Sequence, residues 1–117
     1  MADPIVHVEI SAQDLGQSSK FYSELFGWEM TPWGDSGYVV FKAGDGPGGG
    51  LMKCDESGKW PPVMIYIHVS DIEAKLKSVE AAGGKTVMPK TQISPEHGYF
   101  AVFADPAGNS IGLHSMA

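Results

Sequence analysis

The sequence contains an internal repeat. Five residue types recur at one constant offset in numbering (61 − 4 = 57), and conservative replacements lie between them. The identical pairs are Pro4 and Pro61, Ile10 and Ile67, Asp14 and Asp71, Lys20 and Lys77, and Gly27 and Gly84. A repeat of this kind predicts a fold built from two copies of one structural unit. Each residue can therefore be compared with its counterpart in the other copy.

Each copy begins with a strand followed by a helix. Apolar and polar residues alternate from Ile5 to Ser11, which is the period of a half-buried strand. Asp14 stands where its side chain can cap a helix, and Gly27 stands where that helix should end. The second copy has the same alternation from Val63 to Val69 and the same capping residue at Asp71.

Three shorter apolar runs follow each helix, and each predicts a strand. The predicted strands are Trp28–Trp33, Gly37–Ala43 and Gly50–Cys54 in the first copy, and Lys85–Met88, Gly98–Ala104 and Ser110–His114 in the second. The dipeptide Gly37-Tyr38 is aligned with Gly98-Tyr99, at a slightly larger offset (98 − 37 = 61). The glycine-rich segment 44–50 is interpreted as a loose loop, and residues 91–97 as an exposed insertion containing His97.

The resulting fold prediction is a single α+β domain over residues 1–117. It contains two tandem βαβββ modules, at about residues 4–55 and 61–117, that form a cupped mixed β-sheet with the helices on the outer face. On the first strand of each module, alternation places His7, Glu9 and Ser11, or Met64, Tyr66 and His68, on the inner face.

Composition excludes several classes of partner. The net charge of −6 argues against nucleic acid, because phosphate binding needs a basic face. Apolar runs are too short to span a bilayer, and the N-terminus has no basic or apolar leader, so no membrane partner is expected. Cys54 is the only cysteine, which favours a reducing compartment. We therefore expect a cytoplasmic protein.

Several short motifs occur in a fixed order on the repeat. They are Asp14-Leu15, Phe21 through Gly27, Val69 through Ile72, Ala82-Gly83-Gly84, and Phe103 through Asn109. On these motifs the chain resembles the vicinal oxygen chelate superfamily, also called the glyoxalase/bleomycin-resistance/dioxygenase superfamily, over nearly its whole length. Within it, the chain is similar to short relatives of lactoylglutathione lyase.

The resemblance also implies where a metal would be held. The superfamily's metal-dependent enzymes place four ligands in the cleft, on the first and last strand of each module. In this sequence those positions are His7, Gly50, Met64 and Gly112. One imidazole and one thioether do not form a site for a hard or borderline divalent ion, which needs several oxygen or nitrogen ligands. We therefore predict no metal at these positions and no cofactor.

The candidate binding residues are those expected to face the cleft. They are His7, Glu9, Gly50, Met64, Tyr66, His68, Gly112 and His114. The glycines are interpreted as enlarging a cavity, and Tyr66 either contacts a ligand or fills the space that the glycines open. A relocated metal site built from His7, Glu9, His68 and His114 is an alternative interpretation.

Two functional hypotheses follow. The first is a small-molecule-binding protein, of the bleomycin-resistance type, with a degenerate metal site and an organic ligand. The second is an enzyme resembling lactoylglutathione lyase, either a lyase or an isomerase, with an acid/base group or a rebuilt metal site around His7. A homodimer is expected in both cases, with an interface near Trp33 or Trp60 because aromatic residues are enriched at interfaces. A purely structural interaction subunit has no positive sign in the sequence.

Overall fold

In the computed structural model, which describes residues 2–54 and 61–117, the chain has the predicted α+β fold. It divides into two compact units. Module one comprises residues 6–64, and module two comprises residues 65–117 together with the N-terminal residues up to Ile5. Each unit is organised around one βαβββ sequence of elements, as the repeat predicts.

Module one contains a four-stranded mixed sheet. Its elements are β1 (Ile5–Ala12), α1 (Leu15–Phe26), β2 (Glu29–Pro32), β3 (Tyr38–Lys42) and β4 (Gly48–Lys53). The strand order is β2-β3-β4-β1. The first strand, β1, runs parallel to the last, β4, while the pairs β2–β3 and β3–β4 are antiparallel.

Module two repeats this arrangement, and its first strand begins at the boundary between the two units. Its elements are β5 (Val63–His68), α2 (Ile72–Ala81), β6 (Lys85–Ser94), β7 (Gly98–Ala104) and β8 (Ser110–Ser115). The strand order is β5-β8-β7-β6, with β5 parallel to β8 and the other two pairs antiparallel. Neither described helix is long and apolar enough to cross a membrane.

The strand registers fix which residues of the two modules correspond. Glu9 lies opposite Gly50 in module one, and Tyr66 lies opposite Gly112 in module two, so the sequence repeat holds between β1 and β5 (66 − 9 = 57). The last strands, β4 and β8, correspond at a larger offset (112 − 50 = 62). The pairs therefore show that the repeat is carried by backbone pairing as well as by sequence.

The register corrects the sequence alignment of β3 with β7. Val39 lies opposite Leu51, and Ala101 lies opposite Leu113, so these strands share the offset of the last strands (101 − 39 = 62). The counterpart of Tyr38 is therefore Phe100 and not Tyr99. A shift of one residue moves a side chain to the opposite face of a sheet. Accordingly, Tyr99 packs on the helix-facing core of module two, whereas Tyr38 does not belong to the core cluster of module one.

Both helices begin at the predicted aspartates. The Asp14 carboxylate accepts a hydrogen bond of 3.0 Å from the amide of Gln17, and the Asp71 carboxylate accepts one of 3.1 Å from the amide of Ala74. Helix α1 ends at Gly27, whose φ of 71° is the left-handed conformation expected of a helix-terminating glycine. Because the same side chain begins each helix, both helices start at equivalent places.

One face of each sheet packs against its own helix. In module one the buried residues are Val39, Phe41 and Leu51, with Val8, Ile10, Leu15, Tyr22 and Trp28 packed around them. In module two they are Val69, Ile72, Leu76, Ala101 and Leu113. The ring of Trp28 stacks on Tyr22 and Phe41 and so packs against this core. Leu25 and Phe26, which the helical pattern places on the buried face of α1, are each 61% exposed.

Two segments differ from the sequence prediction. Strand β4 begins at Gly48, so Gly48 and Gly49 belong to it and not to a loose loop, while Gly50 lies in a strand as predicted. A Cβ atom at Gly49 would overlap the carbonyl oxygen of Val8, so this glycine allows β1 and β4 to approach each other closely. The insertion in module two lengthens β6 as far as Ser94, with several bulges, and only residues 95–97 form a turn.

Candidate functional site

Each sheet has a second face that turns away from its helix. Because side chains alternate along a strand, and Val8 and Ile10 pack toward α1, His7 and Glu9 lie on the helix-free face of module one. The same reasoning places Tyr66 and His68 on the helix-free face of module two, since Ile67 packs toward α2. The polar candidates of the sequence analysis are therefore on the faces that were predicted for them.

In module one, a tyrosine joins the two polar candidates of β1. The Tyr38 hydroxyl lies 2.7 Å from His7 Nε2 and 3.3 Å from Glu9 Oε2. The imidazole of His7 is nearly parallel to the Tyr38 ring, and the Trp33 ring packs edge-on against that ring. Glu9 is only 8% exposed, so its carboxylate is held within the protein. We call this group, His7, Glu9 and Tyr38, the tyrosine cluster.

The electrostatics of the tyrosine cluster determine which atom is the donor in each of its two hydrogen bonds. Burial raises the pKa of Tyr38 well above its usual value, and the charge of Glu9 and its hydrogen bond with the hydroxyl raise that pKa further. Tyr38 therefore keeps its proton and donates it to Glu9. Its oxygen then accepts from His7 Nε2–H, because the hydroxyl has only one proton to give. The result is a directional chain of hydrogen bonds from His7 through Tyr38 to Glu9.

The two glycines at the metal positions each lie beneath a tyrosine ring. A Cβ atom at Gly50 would overlap the ring end of Tyr38, and a Cβ atom at Gly112 would overlap the ring of Tyr66. The expectation that these glycines enlarge a cavity is wrong, because the room that they leave is filled by the two rings. The ring of Tyr66 occupies the space above Gly112.

The four positions that the resemblance assigns to a metal do not fit one. Gly50 and Gly112 offer no side-chain donor, and a tyrosine ring lies over each. Met64 is 2% exposed and has only a thioether sulfur. The Nε2 atom of His7 is engaged by the Tyr38 hydroxyl. A divalent ion that prefers nitrogen and oxygen ligands finds only one suitable side chain among these four residues.

In module two, the structure brings His68 and His114 together. These residues lie opposite each other on the parallel strands β5 and β8, and their Nδ1 atoms are 3.1 Å apart. The Nε2 atom of His114 lies 2.8 Å from the backbone carbonyl oxygen of His97. The side chain of His97 is exposed, as predicted, but its carbonyl contributes to this pair. We call His68, His114 and the His97 carbonyl the histidine pair.

The four residues considered for a relocated metal site thus form one hydrogen-bonded group in each module, His7 with Glu9 and His68 with His114. Within residues 2–54 and 61–117, neither module contains three or more His, Cys, Asp or Glu side chains that could hold a metal ion. Trp60, one of the two tryptophans expected at an interface, lies outside the described residues. Trp33 is 46% exposed.

Sequence reasoning missed two contributors to these groups. From sequence, Tyr38 is interpreted only as the start of a strand. Its partner on β4 is Met52, and Gly50, two residues before Met52, leaves room for the Tyr38 ring. The His97 carbonyl could not be inferred from residue type, because every residue has one. Its sequence signal is Gly98, which has a φ of 79° and reverses the chain at that point.

The chain is similar to known proteins over nearly its whole length. The family described as glyoxalase-like domain matches residues 7–114, through both modules. A glyoxylase-like domain-containing protein from Didymella fabae is 30% identical over 111 residues, covering 88% of this chain and 86% of the relative. The anthracycline biosynthesis protein DnrV from Streptomyces peucetius is 30% identical over 127 residues. That alignment covers 90% of this chain but 44% of DnrV, so the chain spans less than half of that relative.

The fold is also similar to solved structures. A glyoxalase/bleomycin resistance protein/dioxygenase superfamily member from Vibrio splendidus has a TM-score of 0.70 with 20% sequence identity. The similarity covers 97% of this chain and 99% of that structure. At this identity the likeness concerns the fold and not the ligand.

Proposed function

Because the chain belongs to the glyoxalase-like domain family, we propose that it binds a small organic molecule without a metal ion at the family's ligand positions. The observation that carries this proposal is the tyrosine cluster. In module one, the two positions that the resemblance assigns to a metal are His7 and Gly50. Tyr38 links them, since its ring lies over Gly50 and its hydroxyl bonds His7 Nε2. His7, the one side chain of this pair that could hold a metal, is therefore hydrogen-bonded to a phenol.

The chemistry of the tyrosine cluster suits a ligand with a hydrogen-bond donor. Glu9 is a buried carboxylate, and a charged acceptor forms hydrogen bonds that are about twice as strong as those between neutral groups. Amines and hydroxyls are donors of this kind. The proposed contacts in module one are His7, Glu9 and Tyr38, with Gly50 admitting the ring of Tyr38.

The test is a ligand screen on matched variants. Cationic antibiotics, glutathione thioesters and small aromatic acids are screened by thermal shift and by tryptophan fluorescence, because Trp33 contacts Tyr38. We expect Tyr38→Phe to weaken binding of a hit by about tenfold, equivalent to about 1.4 kcal/mol. Tyr99→Phe is the control, because it makes the same change on the helix-facing side of module two.

Two results would contradict this proposal. One is a transition metal bound at one ion per chain after purification without chelator and lost on His7→Ala. The other is a set of hits whose affinities are unchanged in Tyr38→Phe and Glu9→Gln. The first outcome would restore a metal at the family position, and the second would remove the tyrosine cluster from the binding site.

A second candidate function is an isomerase- or lyase-like enzyme with acid/base chemistry. The directional chain from His7 through Tyr38 to Glu9 favours it, because a carboxylate and an imidazole joined by a hydroxyl can accept and return a proton. Proton exchange at a carbon next to the carbonyl of a bound glutathione thioester, measured by NMR in deuterated water, separates the two functions. Exchange that disappears in Glu9→Gln indicates catalysis, whereas binding without exchange supports the first function.

We also propose a homodimer located in the cytoplasm. The support is the exposed Trp33 together with the exposed apolar side chains Phe21, Leu25 and Phe26 on α1, since aromatic residues are enriched at interfaces. The lone Cys54 is in keeping with a reducing compartment. Sedimentation at a protein concentration on the order of tens of micromolar tests the dimer. A monomer at that concentration would contradict it.

A further inference from the structure

The loop between β3 and β4 contains an aspartate that is followed directly by a glycine. Asp45 and Gly46 are both exposed and lie at a turn between Lys42, where β3 ends, and Gly48, where β4 begins. No other aspartate of the chain precedes a glycine. Within residues 2–54 and 61–117, no hydrogen bond or ion pair engages the Asp45 carboxylate. Neither proposed function uses this loop.

An aspartate that precedes a glycine can form a cyclic imide with its own backbone. The amide nitrogen of the glycine attacks the carboxyl carbon of the protonated aspartate side chain, and the amide proton leaves with the carboxyl hydroxyl as water. A side chain on the attacking residue hinders this approach and restricts its backbone, whereas glycine does neither. At Gly46 the surroundings are also open, because the nearest atom to a Cβ built there is the Ala43 carbonyl oxygen at 3.5 Å.

The attacking nitrogen can be reached in the folded protein. The Gly46 amide donates a hydrogen bond of 3.1 Å to the Ala43 carbonyl, which closes a single turn of the loop. Gly44 takes the left-handed conformation in that turn, with a φ of 59°. Exposed turns of this kind open at little cost in free energy, since few buried contacts hold them closed. Opening of the turn frees the Gly46 nitrogen without unfolding β3 or β4.

The aspartates at the two helix starts and in the equivalent loop of module two are protected by their surroundings. The carboxylates of Asp14 and Asp71 accept hydrogen bonds from helix amides, and the residue after each belongs to the helix. In module two, the Asp105 carboxylate accepts three hydrogen bonds. Asp105 also precedes Pro106, whose nitrogen carries no hydrogen to lose. The loop of module one lacks both kinds of protection.

From this difference we propose that Asp45 is a site of isoaspartate formation, a backbone modification in which water is the sole co-reactant. Water adds to the imide carbon that was the Asp45 backbone carbonyl, and the bond from that carbon to the Gly46 nitrogen breaks. The chain then runs through the former side chain of Asp45, and the former backbone carbonyl becomes a free carboxylate. One water molecule leaves when the imide forms and one is taken up when it opens, and nothing is oxidised or reduced.

The modification lengthens the chain just before a closely packed strand, because an isoaspartate adds one methylene carbon to the backbone of the loop. A Cβ atom at Gly48 would lie 2.8 Å from the Phe41 carbonyl oxygen, and one at Gly49 would overlap the Val8 carbonyl. The start of β4 therefore has little room to move, and we expect its first residues to lose part of their pairing. This inference goes beyond the proposed function, because it involves no ligand and no residue of the tyrosine cluster.

The first test is made on the unaltered protein. It is incubated near neutral pH in heavy-oxygen water and then digested, and electron-based fragmentation in a mass spectrometer distinguishes isoaspartate from aspartate. We expect isoaspartate to accumulate at position 45, with one heavy oxygen incorporated each time the imide opens. At Asp35, which precedes Ser36 in another exposed turn, formation should be slower by at least about tenfold. Absence of isoaspartate at position 45, or an equal rate at Asp35, would overturn the proposal.

The second test adds two matched variants. Gly46→Ala places a Cβ atom on the attacking residue, where its nearest neighbour would be an ordinary contact at 3.5 Å. Gly16→Ala adds a Cβ atom with the same clearance on helix α1, and so controls for the added methyl group. We expect isoaspartate formation at Asp45 to slow by about tenfold in Gly46→Ala and to stay unchanged in Gly16→Ala. Equal rates in the two variants would overturn the proposal, and amide spectra establish that both are folded.

Amide NMR of the incubated protein tests the effect on β4. We expect the signals of Gly48 and Gly49 to move in the fraction that contains isoaspartate, and the signal of Leu113 on β8 to stay in place. Unmoved signals of Gly48 and Gly49 in that fraction would overturn the effect on the strand. None of these measurements uses a ligand, so their failure is distinct from failure of the proposed function.

Discussion

The two modules share their backbone pairing but place their polar groups at different positions. In module one, His7 and Glu9 on β1 are joined by Tyr38 from β3. Their counterparts in module two are Met64, Tyr66 and Phe100, which have no charge. Module two instead has polar groups further along, at His68 and His114, where module one has Ser11 and Met52.

The difference follows from how each module fills the space above its glycine. Gly50 is covered by a ring from the neighbouring antiparallel strand β3, which leaves the β1 position opposite Gly50 for Glu9. Gly112 is covered by Tyr66, which itself occupies the β5 position that corresponds to Glu9. One ring can therefore fill the space from either side. Which strand supplies the ring decides which positions remain for polar side chains. The backbone repeat does not determine which strand that is.

We expect the largest effect on the free energy of unfolding at Gly49, where the two modules differ. Its counterpart in module two is Ile111. If the strands of module one were spaced like those of module two, position 49 would also tolerate a side chain. In module one a Cβ atom at this position would overlap backbone, the Val8 carbonyl, which cannot swing aside as a side chain can. We expect Gly49→Ala to lower the free energy of unfolding by about 3 kcal/mol.

Denaturant unfolding measures this change, with Gly46→Ala as the control. The nearest atom to a Cβ at Gly46 is 3.5 Å away, which is ordinary contact. A Gly49→Ala variant as stable as the control would show that β1 and β4 separate easily, and that the two modules do not differ in strand spacing.

A smaller effect is expected at Tyr38, where the modules differ in polarity. Tyr38→Phe keeps the ring over Gly50 but removes the hydroxyl that donates to the buried Glu9. Loss of a hydrogen bond to a charged group costs about 2 kcal/mol. Tyr99→Phe, on the helix-facing side of β7, should change the free energy of unfolding by less than about 0.5 kcal/mol. Equal losses in the two variants would mean that the tyrosine cluster contributes no more to stability than an ordinary hydroxyl.

The elements of the fold were predictable because their signals are local. Alternation indicated β1 and β5, and each aspartate marked the start of its helix. Strand β4 was missed in part because three consecutive glycines are typical of a loop, and only the approach of Val8 explains them in a strand. The one-residue error between β3 and β7 arose from matching Gly37-Tyr38 to Gly98-Tyr99 by residue type.

The candidate residues were predictable, but the way they group was not. Faces follow from alternation, so His7, Glu9, His68 and His114 could be selected from sequence. Which of them meet depends on contacts between residues far apart in the chain, such as His7 with Tyr38 and His68 with His114. Strand order alone does not give those distances. The filled space above Gly50 and Gly112 is likewise a product of rotamer and register.

The helix caps sharpen the comparison, because here the modules should behave alike. Asp14 and Asp71 each accept one amide hydrogen bond at the start of a helix, at 3.0 Å and 3.1 Å. Replacing either with alanine should lower the free energy of unfolding by about 1 kcal/mol. Asp14→Asn and Asp71→Asn, which retain a capping oxygen, serve as controls. If only one alanine variant is destabilised, the two helix starts are not energetically equivalent despite their matching geometry.

The smallest effect concerns the turn before the last strand of each module. In module two, the Asp105 carboxylate accepts hydrogen bonds from the amides of Ala107 and Asn109 and from the Asn109 side chain. The side-chain bond from Asn109 is the largest of the causes that lower the pKa of Asp105 below its ordinary value of 3.8, followed by the backbone bond from Asn109. Ala43 occupies the corresponding place in module one, where no carboxylate can act.

A carboxyl group whose pKa is lower in the folded state than in the unfolded state stabilises the fold above the unfolded pKa. That contribution is lost as the pH falls below 3.8 and through the lower folded pKa. We therefore expect the thermal midpoint of the protein to fall on acidification through this window, and to fall less steeply in Asp105→Asn. An Asp105→Asn curve parallel to the unaltered one would show that the acid-sensitive contribution lies in the shared backbone or in other carboxyl groups, and not in the turn that distinguishes the modules.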